Sequence, residues 1–318
     1  MRPSALTPRW PAIAASLLAV LAVGVGVYYW VGNRAPARNV ELYYADPQGM
    51  FLVPVDRPLT LPQAPAEWAQ AVVAALRTPP RKGLVSPVTP DVKLLEASYA
   101  APDWQLKVQV GENFGTTSER LVAGSLVRSF LASYPGSKEV TLRLVGASGQ
   151  EFEGQHLDLS EPFHDADFVN TLDEAPSGGL NATVWWALPD GGTLAPIQVT
   201  LAHGSGVPPR DALASWTAGP PAASRLFLAS VLPPGQSVHW AGLQAGVARV
   251  ELAKAPRDDA PDRRFVEAAL LTLTGEPGVT AVQFLHGGKP LSGAVGPYQL
   301  SAPLKRPQAV NSPTGDAS

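Results

Sequence analysis

The sequence predicts an α+β protein: two tandem small domains, each a mixed β-sheet with two helices packed on one face, behind one N-terminal transmembrane helix. Three observations predict it. A long uncharged run opens the chain, a series of segments recurs in the same order at an offset of about 142 residues, and strand and helix periods alternate inside each copy.

The N-terminal run comes first. Residues 10–33 are 24 consecutive uncharged positions between Arg9 and Arg34. At 1.5 Å per residue a helix of that length crosses a hydrocarbon layer of roughly 30 Å. Trp10 lies at one end and Tyr28, Tyr29 and Trp30 at the other, where interfacial aromatics settle. Ala35-Pro36-Ala37 offers a small-residue cleavage pattern, but the run is longer than a signal h-region of about 7 to 15 residues. With Arg2 and Arg9 before the run and Arg34 and Arg38 after it, the charge bias toward an N-inside orientation is weak. The expectation is a single-pass cell-membrane protein with residues 1–9 cytoplasmic, 10–33 in the membrane and the rest extracytoplasmic.

The duplication organises that remainder. Val40-Glu41-Leu42-Tyr43-Tyr44 matches Ala182-Thr183-Val184-Trp185-Trp186, and Leu52-Val53-Pro54 matches Leu194-Ala195-Pro196. Pro79-Pro80 answers Pro220-Pro221, Leu106 to Val110 answers Ala248 to Leu252, and Val140-Thr141-Leu142 answers Val282-Gln283-Phe284. Leu159-Ser160-Glu161-Pro162-Phe163 closes one copy as Leu300-Ser301-Ala302-Pro303-Leu304 closes the other. The boundaries are 39–163 and 181–304, joined by an acidic, Gly-containing linker at 164–180 and followed by a disordered tail at 305–318.

Within copy one, alternating Val40, Leu42 and Tyr44 predict a strand, Asp46-Pro47-Gln48-Gly49 a tight turn, and Phe51 to Val55 the returning strand. Trp68, Val72 and Leu76 recur at helical spacing over residues 67–77, and Thr78-Pro79-Pro80 stops that helix. Residues 93–99 and 104–110 read as a hairpin with Leu106, Val108 and Val110 on its dry face and Lys107 and Gln109 on a wet one. A second helix starts near Thr116, where Thr116 and Glu119 have capping-box spacing, and carries Val122, Leu126 and Phe130. Val140, Leu142 and Leu144 form the next strand, and Leu157-Asp158-Leu159 is read as a closing one. Copy two follows the same order, with its second helix at residues 263–274.

This pattern of strands, turns and helices resembles the GerMN domain family of sporulation and spore-germination proteins. The resemblance rests on Val40-Glu41-Leu42-Tyr43-Tyr44 with Asp46-Pro47-Gln48-Gly49 and Leu52-Val53-Pro54. It continues in Gly83-Leu84-Val85-Ser86-Pro87, Asn113-Phe114-Gly115 and Leu157 to Pro162. Copy two departs further, having Ala222-Ala223-Ser224 where copy one has Arg81-Lys82 and no counterpart of Asn113-Phe114. The resemblance implies an envelope domain without known catalysis and a fold similar to the ring-building modules of secretion systems. Lipid attachment does not transfer, because the chain has no cysteine.

Composition narrows the chemistry. A net charge of −3 with scattered Lys and Arg gives no footprint for nucleic acid. The absence of cysteine removes disulfides, thiol catalysis and cysteine-based metal sites. His156, His164, His203, His239 and His286 have no metal-ligand spacing, the densest cluster being His164-Asp165-Ala166-Asp167 in the linker. Gly204-Ser205-Gly206 and Gly287-Gly288-Lys289 read as turns, and Glu151 and Glu153 as a solvated strand face. The expectation is no catalytic, cofactor or metal site.

What remains is Tyr43, Tyr44, Trp185 and Trp186, a pair of adjacent aromatics at the same place in each copy. Adjacent strand residues point to opposite faces, so one ring of each pair is core and the other is a candidate interaction surface. Two partner classes stay open, a protein or a second copy gripped by a scaffold module, and peptidoglycan gripped by a wall-binding module; an envelope hydrolase is the third and least supported reading.

Overall fold

The computed structural model describes residues 37–312 apart from 112–113, 115, 153, 155–156, 173–179 and 202–205. The expected membrane helix at 10–33 lies outside the described residues, as do His156, Glu153, His203 and Asn113. Among the described residues no helix is long and apolar enough to cross a membrane.

Copy one opens with β1 (Arg38–Ala45) and β2 (Leu52–Leu59), antiparallel from Arg38 opposite Leu59 to Ala45 opposite Leu52. The Asp46 carboxylate holds the turn by accepting the main-chain N–H groups of Gln48, Met50 and Phe51, and Gly49 supplies the positive φ of 67°. Helix α1 (Pro65–Leu76) starts on a proline, whose missing N–H has no intrahelical partner to lose, and buries Trp68, Val72 and Leu76. β3 (Lys93–Ala100) and β4 (Asp103–Gln109) form the expected hairpin. Helix α2 (Thr116–Ser133) then carries the chain over to β5 (Glu139–Val145), which lies parallel to β4. Leu106 and Val108 are buried while Lys107 and Gln109 are partly exposed, so one face is wet as the alternation predicts.

Copy two repeats the plan with β6 (Leu180–Ala187), β7 (Leu194–Leu201), α3 (Pro208–Ala218), β8 (Val238–Gln244), β9 (Val247–Leu252), α4 (Ala260–Leu273) and β10 (Ala281–His286). Burial runs in the same sequence along β1 and β6, position by position. Three two-residue strands, β11 (Lys289–Pro290), β12 (Ala294–Val295) and β13 (Tyr298–Gln299), follow, with Gly287 and Gly288 turning β10 into β11.

Three expectations need correction. The mixed sheet is smaller than the element order suggests: β3-β4-β5 in copy one and β8-β9-β10-β11 in copy two, while β1-β2 and β6-β7 stand apart as two-stranded sheets. The reason lies in α2. Tyr43 faces Pro54 in the hairpin register, and its outward N–H donates to Ser129 Oγ at 2.9 Å while its carbonyl accepts from Ser125 Oγ at 2.6 Å. Ala45 is bridged to Val85, so helix hydroxyls and a loop occupy the edge a larger sheet would use. Leu157-Asp158-Leu159 is a bend and turn, and Phe163 instead bridges Val140.

The third correction concerns the linker and the tail. Residues 165–168 form a short 3-10 helix capped by His164 and Asp167, whose carboxylate accepts the His164 N–H. The segment expected to be a disordered tail is packed as far as Ser312, with Val310 and Asn311 both buried.

Candidate interaction site at the seam between the copies

All four candidate aromatics are core residues, Tyr43, Tyr44, Trp185 and Trp186 being 5%, 0%, 4% and 2% exposed. The expected outward ring of each pair is absent because both faces of each first hairpin are covered. Tyr44 turns toward α1, donating its hydroxyl to Ala75 O at 3.0 Å and accepting from Arg57 Nη1 at 2.8 Å. Tyr43 turns the other way, donating to Glu41 at 2.7 Å and lying under the Arg128 guanidinium, 4.6 Å from the ring centroid. Burial and the Glu41 carboxylate push the Tyr43 hydroxyl well above the usual phenol range. Trp185 and Trp186 repeat the arrangement: Trp186 Nε1 donates to Trp216 O, Trp216 Nε1 donates to Trp185 O at 2.8 Å, and Arg306 lies over the Trp185 ring.

Following Tyr43 and Trp185 outward leads to the seam where β2 and β7 face each other. Their edges cannot pair as a regular ladder, since each carries a proline, Pro54 or Pro196, that has no N–H to donate. Two asparagine amides stand in for the missing ladder. Asn170 accepts from Leu52 N at 2.8 Å and donates through Nδ2 to Leu52 O and Pro196 O at 2.7 and 2.8 Å. Asn311 accepts from Leu194 N at 2.8 Å and donates to Leu194 O and Pro54 O at 2.7 and 2.8 Å. Each amide thus binds the leucine of its own copy and the proline of the other. Reciprocal contacts of that kind define an isologous interface, here formed inside one chain.

The seam's charges are less symmetric. Arg128 on α2 pairs with Asp165 at 3.1 Å and donates to Phe168 O at 3.4 Å. At the matching place α4 has Leu271, and the arginine comes from the other partner, Arg306 Nη1 donating to Leu271 O at 3.0 Å. Burial holds the Arg306 guanidinium below its ordinary range. Asp56 on β2, 7% exposed, lies directly opposite Glu41 of β1 and accepts the Val310 N–H at 2.6 Å. Burial pushes the Asp56 carboxyl up to about 6, against the Val310 hydrogen bond and with help from Glu41. A cleft of about 360 Å³ runs along the seam between Tyr43, Arg128, Asn170, Thr183, Pro196 and Gln198.

Sequence reasoning missed both asparagines, although the signal was present. Val169-Asn170-Thr171 and Val310-Asn311-Ser312 repeat at nearly the same offset as the domains, in segments set aside as linker and tail. The His164-Asp165-Ala166-Asp167 cluster is a helix cap with His164 Nε2 at 3.4 Å from Glu139. Among the described residues no group of three His, Cys, Asp or Glu side chains is placed to hold a metal.

With this geometry in hand, the chain can be set against known proteins. The family model Germane, described as sporulation and spore germination, matches residues 41–150 and 183–292, more than half of the sequence. The chain belongs to the Germane family. Both Germane matches fall inside the two structural copies, and each stops short of the asparagine segment that follows it. Among solved structures, the tandem GerMN domains of the sporulation protein GerM from Bacillus subtilis align with a TM-score of 0.63 and 17% identity, over 86% of this chain and 99% of that one. That likeness establishes a shared tandem Germane fold. A protein from Clostridium perfringens aligns at 13% identity over 44% of this chain and 99% of its own, with a TM-score of 0.28, too low to bear on the fold. No curated protein matches.

Proposed function

We propose that this Germane protein is a non-catalytic scaffold or assembly module of the cell envelope, anchored by residues 10–33, with both domains outside the membrane and acting through protein contacts. The observation that carries the reading is the seam. Reciprocal amides, Asn311 fully buried and Asn170 half-buried, bind the two domains to each other, so the pair presents a joint outer surface to a partner. β3 and β8 are the terminal strands of their sheets, and strand edges of that kind are available for pairing with another chain. The wall-binding alternative loses its motivating feature, since the four rings that would stack on glycan are buried.

The experiment is size-exclusion chromatography with light scattering on the fragment from Arg38 onward, followed by cross-linking of the full chain in cells. A discrete oligomer supports self-assembly as the scaffold's mode. A monomer that cross-links to an envelope protein supports a heterologous partner, and a monomer without cross-links counts against the proposal. Protease accessibility of the domains in intact cells tests the orientation separately.

A further inference from the structure

Residues 305–312 close one side of the seam. Arg306 donates to Leu271 O on α4, Asn311 spans both hairpins, and Arg81 Nη2 reaches Ser312 O at 3.4 Å. Val310 exchanges two bonds with Asp56, donating to its carboxylate and accepting its main-chain N–H at 3.0 Å. The segment therefore touches both copies within a few residues.

The two sides of the seam match in geometry but not in charge. Asp56 and Gln198 hold the same place in β2 and β7, and each gives its main-chain N–H to the segment crossing it, Gln198 to Asn170 O at 2.7 Å. A neutral side chain suffices for that place in the fold. Asp56 brings a buried carboxyl instead, with the Glu41 carboxylate across the hairpin. The nearby guanidinium groups are engaged elsewhere: Arg57 with Tyr44 Oη, Ala75 O and Thr78 O, Arg81 with Gly192 O and Ser312 O, Arg306 with Leu271 O. None of these forms an ion pair with Asp56 among the described residues. An ionised Asp56 sits in a dry site beside a second carboxylate. Binding a proton relieves that penalty, and so does undocking residues 305–312, which gives the carboxylate to water.

We propose that residues 305–312 form a proton-gated latch between the two copies, closed most tightly when Asp56 is protonated and loosened when it ionises. The seam then opens more readily in a neutral medium than in a mildly acidic one. The sign follows from linkage: a carboxyl that holds its proton more tightly when docked stabilises docking at low pH, and that contribution is lost as pH rises through the docked group's titration.

The test is amide hydrogen exchange on the full chain, comparing Val310 and Asn311 with core amides of α4 and correcting for intrinsic exchange. From about pH 8 down to about pH 5, protection at Val310 and Asn311 is expected to rise about tenfold while staying well below that of the α4 amides at both ends, because the latch opens without global unfolding. Asp56→Asn keeps an acceptor for Val310 and is expected to be protected and flat with pH. Should that variant not fold, Glu41→Gln, which still accepts the Tyr43 hydroxyl, is expected to move the transition to lower pH. Equal protection at both pH values, protection at Val310 and Asn311 as high as that of the α4 amides, a pH response surviving in Asp56→Asn, or an unmoved transition in Glu41→Gln would each overturn the latch.

Discussion

Leu52 reaches into the groove that Gly124 leaves on α2: a Cβ added at Gly124 would lie 2.6 Å from Leu52 Cδ1 and 2.8 Å from Phe168. The contact joins helix, hairpin and seam, since the main chain of Leu52 is also what Asn170 binds. Gly→Ala in a helix interior ordinarily gains about 1 kcal/mol. At Gly124 the sign is expected to reverse, because neither neighbour is the free end of an exposed side chain. Gly124→Ala should lose about 1–3 kcal/mol in a denaturant titration, and a stabilised variant would contradict the packing described.

The two seam asparagines should cost alike when removed. Asn170→Ala and Asn311→Ala each leave a leucine N–H and two carbonyls without their amide, and each is expected to lose about 2–4 kcal/mol. Equilibrium unfolding of the two single variants checks it. A large loss in one and none in the other would show that the reciprocal geometry does not translate into equal energies.

Asp56 gives stability a pH dependence of definite sign. Its folded carboxyl is pushed up to about 6, so between its ordinary range and that value the native state holds more protons than the unfolded chain. Stability from this group is therefore greatest in acid and falls as pH rises through that window. Asp56→Asn should be the more stable protein at neutral pH, by no more than about 3 kcal/mol, with the difference shrinking in acid. Thermal melts across the window measure it, and a gap that widens in acid would reverse the assignment.

The legible part of the fold was its periodic part. Trp68, Val72 and Leu76 announced α1, and Leu106 and Val108 announced the dry face of β4, because a residue's burial there follows from its spacing alone. One ring of each aromatic pair reads as outward because strand alternation assumes one covered face, whereas α1 and α2 cover both faces of the β1 hairpin. The separation of the hairpins from the larger sheets depends on where hydroxyls such as Ser125 and Ser129 meet an edge, which no spacing encodes. Asn170 and Asn311 escaped for a related reason. Polar segments lacking a hydrophobic period read as linkers, yet a single buried amide can order one when three main-chain groups await it.

The hydroxyls at the edges of β1 and β6 give a sharper test of what holds the hairpins. Tyr43 N donates to Ser129 Oγ at 2.9 Å, and Trp185 N donates to Thr272 Oγ1 at 3.0 Å, both buried. Removing the acceptor strands a main-chain donor away from water, with an expected loss of about 1–3 kcal/mol. Thr272→Val keeps shape and deletes the hydroxyl, while Thr272→Ser keeps the hydroxyl and deletes a methyl. If the hydrogen bond is the stabilising element, the serine variant stays near wild type and the valine variant loses most; if packing is, the order inverts. Ser129→Ala should behave as the valine variant does, and chemical denaturation of the three proteins decides between the two causes.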